Sequence, residues 1–264
     1  MIGVFDSGFG GLNVLRGITT QLPQYGYIYL GDSARAPYGS RPFEEVYMFT
    51  KQGVEFLFEH GATLIVLACN TASSEALRKI QSDYEKSPNK KVLGVLIPFA
   101  ESAVAQTDNK RVGVIATEGT VRSGSFVREI QKLDDKIYVV QQACPLLVPL
   151  IEAGEMKATD SLLRDYLAPL LADGIDTLIL GCTHYGLLET QVRAVVGPDI
   201  AVVSERDVVP ASLEVYLERH PDIEIRITKN VAPRFYSTGP LDRFEQLGSM
   251  FFRTPLHAER ATLG

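Results

Sequence analysis

Several features that are common in proteins are absent from this sequence of 264 residues. It has no tryptophan, it has only three cysteines, and it has no apolar stretch long enough to span a bilayer. Met1 is followed by neither a basic region nor a long apolar run, so no secretory signal is recognisable. We therefore expect no membrane partner, and a cytoplasmic location in which thiols stay reduced.

The cysteines also lack the spacings that mark two common kinds of site. There is no Cys-x-x-Cys motif, which argues against a redox disulfide. Zinc sites usually contain close pairs of ligands, and Cys182 with His184 is the only such pair, so we expect no metal. An excess of positive charge is missing too. The net charge of −6 gives no reason to expect a nucleic-acid partner.

The remaining composition is that of an ordinary globular protein, with 45% apolar and 22% charged residues. One stretch of this sequence occurs twice. The apolar run 64–68 is followed by Cys69, and the apolar run 178–181 is followed by Cys182. Such runs are typical of parallel strands that are buried on both faces. Each cysteine then lies at the carboxyl end of a strand, where open α/β sheets bind ligands.

Predicted strands and helices alternate along the chain, and the pattern starts again near its middle. Gly3 precedes Cys69 by 66 residues, and Gly113, in a similar strand, precedes Cys182 by 69. This predicts an internal duplication, although two unrelated α/β halves can also look alike. We expect an α/β fold of two pseudo-symmetric domains with mainly parallel sheets. The first domain contains residues 1–96 and 208–264, and the second contains residues 97–207.

The finer pattern predicts individual elements. Helices are expected over 73–84, 123–133 and 241–252, strands over 91–97 and 224–227, and a turn over 87–90. The tail after residue 208 has no matching half of its own, so we expect it to pack on the first domain.

The three cysteines are not equivalent in their surroundings. Free cysteine is most often a small buried hydrophobe, and Cys144, which has no polar cluster beside it, fits that role. Cys69 and Cys182 each precede polar residues at a strand end, where the start of a helix favours the thiolate. One hypothesis makes Cys182 a single nucleophile with His184 as its base, which leaves Cys69 unexplained. The other places both thiols on opposite sides of one substrate, where one removes a proton from carbon and the other delivers one.

Three further segments carry polar groups that fit a site. Asp6-Ser7-Gly8 follows the first strand, and it is either a turn or a place where Asp6 orients a proton near Cys69. The loop Ala36-Pro37-Tyr38-Gly39 is either a simple turn or a carboxylate site made of backbone N–H groups. His184 is within reach of the Cys182 pocket. Glu152, taken alone, is a solvated acid.

Four motifs together resemble those of the bacterial glutamate racemases, in the same order and spacing. They are Asp6-Ser7-Gly8, the loop 31–39, Ala68-Cys69-Asn70-Thr71-Ala72 and Gly181-Cys182-Thr183-His184, and the similarity continues through 148–154 and 237–239. The resemblance implies an isomerase that interconverts L- and D-glutamate without any cofactor or metal and supplies D-glutamate for peptidoglycan. It also implies that the active site lies in the cleft between the two domains.

The resemblance also implies roles for single residues. Cys69 would act on the α-proton of D-glutamate with the help of Asp6. Cys182 would act on that of L-glutamate with the help of His184 and Glu152. The carboxylates and the amino group of the substrate would be held by Asp6, Ser7, Pro37, Tyr38, Gly39, Asn70, Thr71, Thr117, Thr120, Thr183 and His184.

One segment departs from the family's pattern. Ser204-Glu205-Arg206-Asp207 stands where an Asp-Ser or Ser-Gly pair is expected after a strand. Two rival functions stay open: an aspartate racemase of the same chemistry, and a two-domain amino-acid sensor with inert thiols. Phe251 and Phe252 are expected to be exposed and to favour an interface, so we expect a homodimer.

Overall fold

The structure is a computed structural model that describes residues 1–87 and 89–264. These residues form the strands β1 (Ile2–Asp6), β2 (Tyr27–Gly31), β3 (Leu64–Leu67), β4 (Lys91–Gly94), β5 (Arg111–Ala116), β6 (Tyr138–Ala143), β7 (Thr177–Gly181), β8 (Ala201–Val203), β9 (Arg234–Ser237) and β10 (Ala258–Arg260). In this part of the chain, six strands form one sheet in the order β10-β9-β2-β1-β3-β4. Four form a second sheet in the order β6-β5-β7-β8. Neighbouring strands are parallel in both sheets.

Four strands of the first sheet correspond in order to the four strands of the second. The series β2-β1-β3-β4 matches β6-β5-β7-β8. Gly3 pairs with Ile28 and Ile65, and Gly113 occupies the matching central position of the second sheet. The α/β fold with two parallel sheets is therefore confirmed, and the shared strand order agrees with the predicted duplication.

Helices cover the faces of both sheets. They are α1 (Gly11–Gln21), α2 (Phe43–Glu59), α3 (Asn70–Glu75), α4 (Leu77–Asp83), α5 (Leu96–Gln106), α6 (Glu118–Ser123), α7 (Ser125–Leu133), α8 (Leu147–Glu152), α9 (Met156–Ala172), α10 (Glu189–Val196), α11 (Glu205–Arg219), α12 (Pro221–Glu224) and α13 (Leu241–Phe252), with a 3-10 turn at Tyr185–Leu188. Val4 and Phe5 of β1 are fully buried in separate apolar clusters, as expected for a strand covered on both faces. Within the described ranges, no helix combines the length and hydropathy needed to cross a membrane.

The C-terminal tail returns to the first sheet, as predicted. Strand β9 pairs with β2, and β10, which the sequence pattern did not predict, pairs with β9. Helix α13 packs against α1. The helices α5 and α11 run across the two predicted domain boundaries, at 96/97 and 207/208, so the division into domains stays a prediction.

Three predicted elements differ from the structure. The helix predicted over 73–84 is two helices, α3 and α4, and α3 begins at Asn70 because Cys69 acts as its N-cap. The strand predicted over 91–97 ends at Gly94. Pro98 lies in the first turn of α5, where no backbone N–H is needed.

The strand predicted over 224–227 is wrong. Pro221 starts the short helix α12 instead, in keeping with the preference of proline for the first helical position. In a strand Ile225 and Ile227 would lie on the same face, but Ile225 is 77% exposed whereas Ile227 is buried. Pro88, within the turn predicted over 87–90, lies outside the described residues.

Candidate active site

The two repeated cysteines meet at one cavity between the sheets. Cys69 follows β3 and Cys182 follows β7, which are equivalent strands of the two sheets. The cavity has a volume of about 30 Å³ and is lined by Ser7, Gly8, Ala36, Pro37, Tyr38, Gly39, Cys69, Asn70, Thr71, Thr117, Val148, Glu152, Cys182, Thr183 and His184. This is room for one or two water molecules, so the cavity as it stands is too small for an amino acid.

Cys69 is held at the start of α3. Its sulfur accepts a hydrogen bond from the backbone N–H of Ala72 at 3.5 Å and donates one to Ser7 Oγ at 3.5 Å. Burial raises the pKa of the Cys69 thiol to about 11, and the negative charge of Asp6 acts in the same direction. The Ala72 N–H lowers this pKa, as predicted for a helix N-terminus, but its effect is smaller than that of burial.

Asp6 forms hydrogen bonds to residues from both halves of the site. One carboxylate oxygen accepts from the backbone N–H of Gly8 at 2.9 Å, and the other accepts from Thr183 Oγ1 at 3.4 Å. Asp6 is fully buried, and burial raises the pKa of its carboxyl group. It does not form part of the cavity wall, but it lies behind Thr183, a wall residue that donates a hydrogen bond to it.

Cys182 has a different set of partners. His184 Nδ1 lies 4.0 Å from its sulfur, and His184 Nε2 lies 3.0 Å from Glu152 Oε1. Glu152 Oε2 in turn lies 3.4 Å from Arg243 Nη2 of α13. Burial raises the pKa of the Cys182 thiol well above its usual value, and the nearby charge of Cys69 raises it further. Glu152 is therefore a partner of His184 and not the solvated acid that its sequence position alone suggests.

The segment after Cys182 lies directly on the first turn of α1. A side chain at Gly10 would overlap the Thr183 hydroxyl, and its Cβ would lie 2.7 Å from His184 Nδ1. Glycine is thus required at this position, because the backbone of the first half must approach the polar residues of the second.

The residues predicted to hold the substrate form two groups. Asn70 lines the cavity, and neither its side-chain oxygen nor its nitrogen has a hydrogen-bond partner among the described residues, although both are buried. The hydroxyl groups of Thr71, Thr117 and Thr120 contact one another at 3.0 to 3.4 Å. Thr71 and Thr117 reach the cavity, whereas Thr120 lies behind them.

The loop after β2 closes the other side of the cavity. Pro37, Tyr38 and Gly39 line it, and the Gly39 carbonyl accepts from the backbone N–H of Gly119 at 2.7 Å. The Tyr38 hydroxyl donates to Asp32, a fully buried carboxylate.

Asp32 and Val148 were not named as site residues, whereas Gly8 and Ala36 lie in segments predicted to form the site but had no role of their own. Asp32 could have been found, because it follows β2 at the same edge at which Asp6 ends β1. The backbone of Gly8, the small Ala36 and the apolar Val148 carry no chemical signal in the sequence.

One expectation about the surface is wrong. Phe251 is 1% exposed, and its ring packs edge-on against that of His184 with 5.3 Å between centroids. Phe252 is partly buried against Phe235. The apolar side chains of α13 therefore pack inside the protein, one against His184 and one against β9, and do not form an exposed surface.

Within residues 1–87 and 89–264, no three His, Cys, Asp or Glu side chains form a metal-binding group.

Known proteins resemble this chain over its whole length. The sequence model of the Asp/Glu/hydantoin racemase family matches residues 2–208. The glutamate racemase of Exiguobacterium sibiricum is 37% identical over 268 residues, which covers 100% of this chain and 96% of that protein. A glutamate racemase isoform of Bacillus anthracis superposes with a TM-score of 0.91 at 34% identity, covering 100% of this chain and 97% of that one.

A second solved structure is the glutamate racemase of Francisella tularensis in complex with D-glutamate. Its TM-score is 0.88 at 31% identity, with 99% of this chain and 97% of that chain covered. The matching fold and the matching sequence both extend across the two sheets that form the cavity. This chain therefore belongs to the Asp/Glu/hydantoin racemase family, as an isomerase of the glutamate racemase group.

Proposed function

We propose that the protein interconverts L- and D-glutamate by transfer of protons between the substrate and two cysteines. The observation that carries the proposal is the pair of buried thiols, Cys69 and Cys182, at the ends of equivalent strands on one cavity. The glutamate racemases among its relatives and the D-glutamate bound in the Francisella structure support glutamate as the substrate.

In the proposed reaction, one cysteine removes a proton from the α-carbon and the other cysteine supplies a proton to it. With D-glutamate bound, the Cys69 thiolate takes the α-proton while the Cys182 thiol donates its proton to the opposite face of the α-carbon. The product is L-glutamate, Cys69 is left as the thiol and Cys182 as the thiolate. The reverse reaction starts from that state. Asp6 assists proton movement at Cys69, and His184, supported by Glu152, assists at Cys182.

Both thiols must ionise in a site that opposes ionisation. Burial raises the pKa of both, so the empty closed site holds them mainly as thiols. The ammonium group of a bound amino acid is a positive charge close to both sulfurs, and it lowers the pKa of each. The two carboxylates of glutamate act in the opposite direction, so hydrogen-bond donors that neutralise them are needed for the thiols to ionise.

The carbanion-like charge of the transition state needs hydrogen-bond donors. Asn70, Thr71 and Thr117 offer an amide and two hydroxyls on one wall of the cavity. Each donor aimed at the α-carboxylate contributes about 3 kcal/mol, judged by oxyanion-hole donors, so these groups supply a large part of the stabilisation. The unpartnered amide of Asn70 is the strongest candidate, because a buried amide without a partner is costly unless a ligand satisfies it.

The wider biological role is part of the proposal. Cofactor-independent racemisation of glutamate would supply D-glutamate for peptidoglycan, and this role would place the enzyme in the cytoplasm. A homodimer also stays a prediction, and light scattering after size exclusion tests it.

The decisive experiment follows circular dichroism from D-glutamate with no cofactor added. We expect Cys69→Ser and Cys182→Ser each to lower racemisation about 10³-fold or more. The matched control is Cys144→Ser. Cys144 is a buried thiol outside the cavity, and a serine hydroxyl there can donate to the Gln142 carbonyl, so activity is expected to stay within twofold. Near-normal activity of either site variant in both directions would overturn the two-base mechanism.

Three further measurements separate the rival functions. In D₂O, deuterium is expected at the α-carbon of the product. Turnover of aspartate at a rate comparable to that of glutamate would favour an aspartate racemase. Binding of glutamate without any change in optical rotation over hours would favour a sensor.

A further inference from the structure

Glu205 is a buried carboxyl group that the proposed proton transfer does not use. It is the first residue of α11, the helix that leads away from the second sheet after β8. Glu205 is fully buried, and in the described part of the chain its Oε2 has no hydrogen-bond partner. A helix N-terminus favours a carboxylate. Complete burial opposes ionisation more strongly and raises the pKa of Glu205 to about 8.

The other oxygen of Glu205 connects α11 to α1. Oε1 accepts from Asn13 Nδ2 at 3.4 Å, and Asn13 Oδ1 accepts from Arg16 Nη2 at 2.8 Å. Because Arg16 can only donate, its bond directs the amide N–H₂ of Asn13 towards Glu205. The two helices are thus joined by a polar contact within their apolar interface.

This polar contact lies directly beneath the segment that carries Cys182. A Cβ at Gly186 would lie 2.5 Å from Asn13 Nδ2 and 3.0 Å from Glu205 Oε1, so the backbone rests on both side chains. The same segment turns back on itself. The N–H of Tyr185 donates to the Cys182 carbonyl at 2.9 Å, and that of Leu187 donates to the His184 carbonyl at 3.1 Å. A shift of Glu205 would therefore move the backbone from which Cys182 and His184 project.

We propose that Glu205 is a positioning residue for the segment 182–188, and that it performs this role as a neutral carboxylic acid. The inference rests on the proposed function for the importance of Cys182, but its tests do not depend on racemisation alone. It also gives a role to a residue at which this sequence departs from the pattern expected after β8.

The charges around Glu205 explain why the neutral form is required. Asp6, Glu189 and Cys182 are acidic groups on the elements packed around it, and the negative charges of Asp6 and Glu189 raise its pKa. Arg16 is the nearby cation on α1, but Asn13 stands between its hydrogen bond and Glu205. A negative charge on Glu205 raises the pKa of Cys182 and so opposes formation of its thiolate.

The first test compares thermal unfolding of the wild type with that of Glu205→Gln. The pKa of Glu205 is about 8 in the folded protein and near its usual value of 4.5 in the unfolded chain. The neutral form of Glu205 therefore makes its full contribution to the free energy of unfolding below pH 4.5, and this contribution is lost as the pH rises through about 8. Glutamine stays neutral, so the Tm of the variant should exceed that of the wild type by a margin that grows over this range. Glu218→Gln, at an exposed glutamate of the same helix, is the control and should show no such growth.

The second test measures alkylation of each cysteine by iodoacetamide with mass spectrometry. Between pH 7 and pH 9.5 the alkylation rate of Cys182 in Glu205→Gln should become about threefold faster relative to the wild type, because only in the wild type does residue 205 gain a negative charge that raises the pKa of Cys182. The ratio of the alkylation rates of the variant and the wild type at Cys69 should not change with pH.

A third test compares two substitutions of Glu205 by steady-state kinetics. Glu205→Ala, which removes the contact with Asn13, should lower kcat about tenfold or more, whereas Glu205→Gln should retain most of the wild-type kcat.

Two results would overturn the proposal. One is a difference in Tm between the wild type and Glu205→Gln that does not change with pH. The other is an equal loss of kcat in Glu205→Gln and Glu205→Ala. In either case racemisation that still depends on Cys69 and Cys182 leaves the proposed function intact.

Discussion

The surroundings of the two thiols differ although their strands are equivalent. Cys69 caps a regular helix, and its neighbours are a backbone N–H, the Ser7 hydroxyl and the buried carboxyl of Asp6. Cys182 is followed by a 3-10 turn, and it faces a histidine that a glutamate supports. The strand order is repeated, but the loops at the strand ends are not.

This difference indicates how one repeated framework can serve two directions of a reaction. The strands place both cysteines on the same cavity, whereas the loops determine which polar groups surround each sulfur. The equilibrium constant between two enantiomers is one, so kcat/KM must be equal from both sides. The asymmetry of the site can then appear only in kcat and KM taken separately.

After replacement of the thiols themselves, the largest expected effect comes from removing the group that we propose to assist each thiol. We expect Asp6→Asn and His184→Gln each to lower kcat/KM about 10²-fold or more, the contribution typical of a group that moves a proton. The measurement is racemisation followed from both enantiomers. A loss of activity in only one of the two variants would show that only one of the two thiols depends on an assisting group.

A smaller effect is expected at the residue after each cysteine. Asn70→Ala removes an unpartnered amide that we propose to bind the α-carboxylate, so we expect a higher KM, a lower kcat and a fall in kcat/KM of about 10- to 100-fold, as for a hydrogen bond to a charged group. Thr183→Val removes the hydroxyl that donates to Asp6, so it should lower kcat more than it raises KM. Steady-state kinetics of the pair tests the contrast. The same KM in Asn70→Ala as in the wild type would exclude Asn70 as a substrate ligand.

The smallest effects are expected in the outer partners of Cys182, which have no counterpart at Cys69. Glu152→Gln should lower kcat about tenfold, because it weakens a charge-assisted bond to His184. Arg243→Ala removes an exposed partner of Glu152, and the change should be about threefold or less. An effect of Arg243→Ala as large as that of Glu152→Gln would mean that the arginine does more than contact the carboxylate.

Much of the fold follows from local sequence patterns. The apolar runs before Cys69 and Cys182 are buried strands of parallel sheets, as expected, because continuous apolar sequence suits strands covered on both faces. Local patterns failed at residues 221–227 and at Pro98. Proline starts α12 in the first case and lies in the first helical turn in the second, and the distinction depends on what surrounds it.

Local sequence patterns were enough to predict the α/β class, the repeated order of strands and the position of each cysteine at a strand end. Hydrophobic periodicity and turn residues are local, so one sequence is enough to interpret them. Only the tertiary structure brought His184 between Cys182 and Glu152, placed Asp6 against Thr183 and buried Glu205 beneath Gly186. Apart from that of Cys182 with His184, these contacts join residues that are far apart in the chain. The raised pKa values of Asp6, Cys182 and Glu205 arise mainly from burial, which depends on the packing of both halves together.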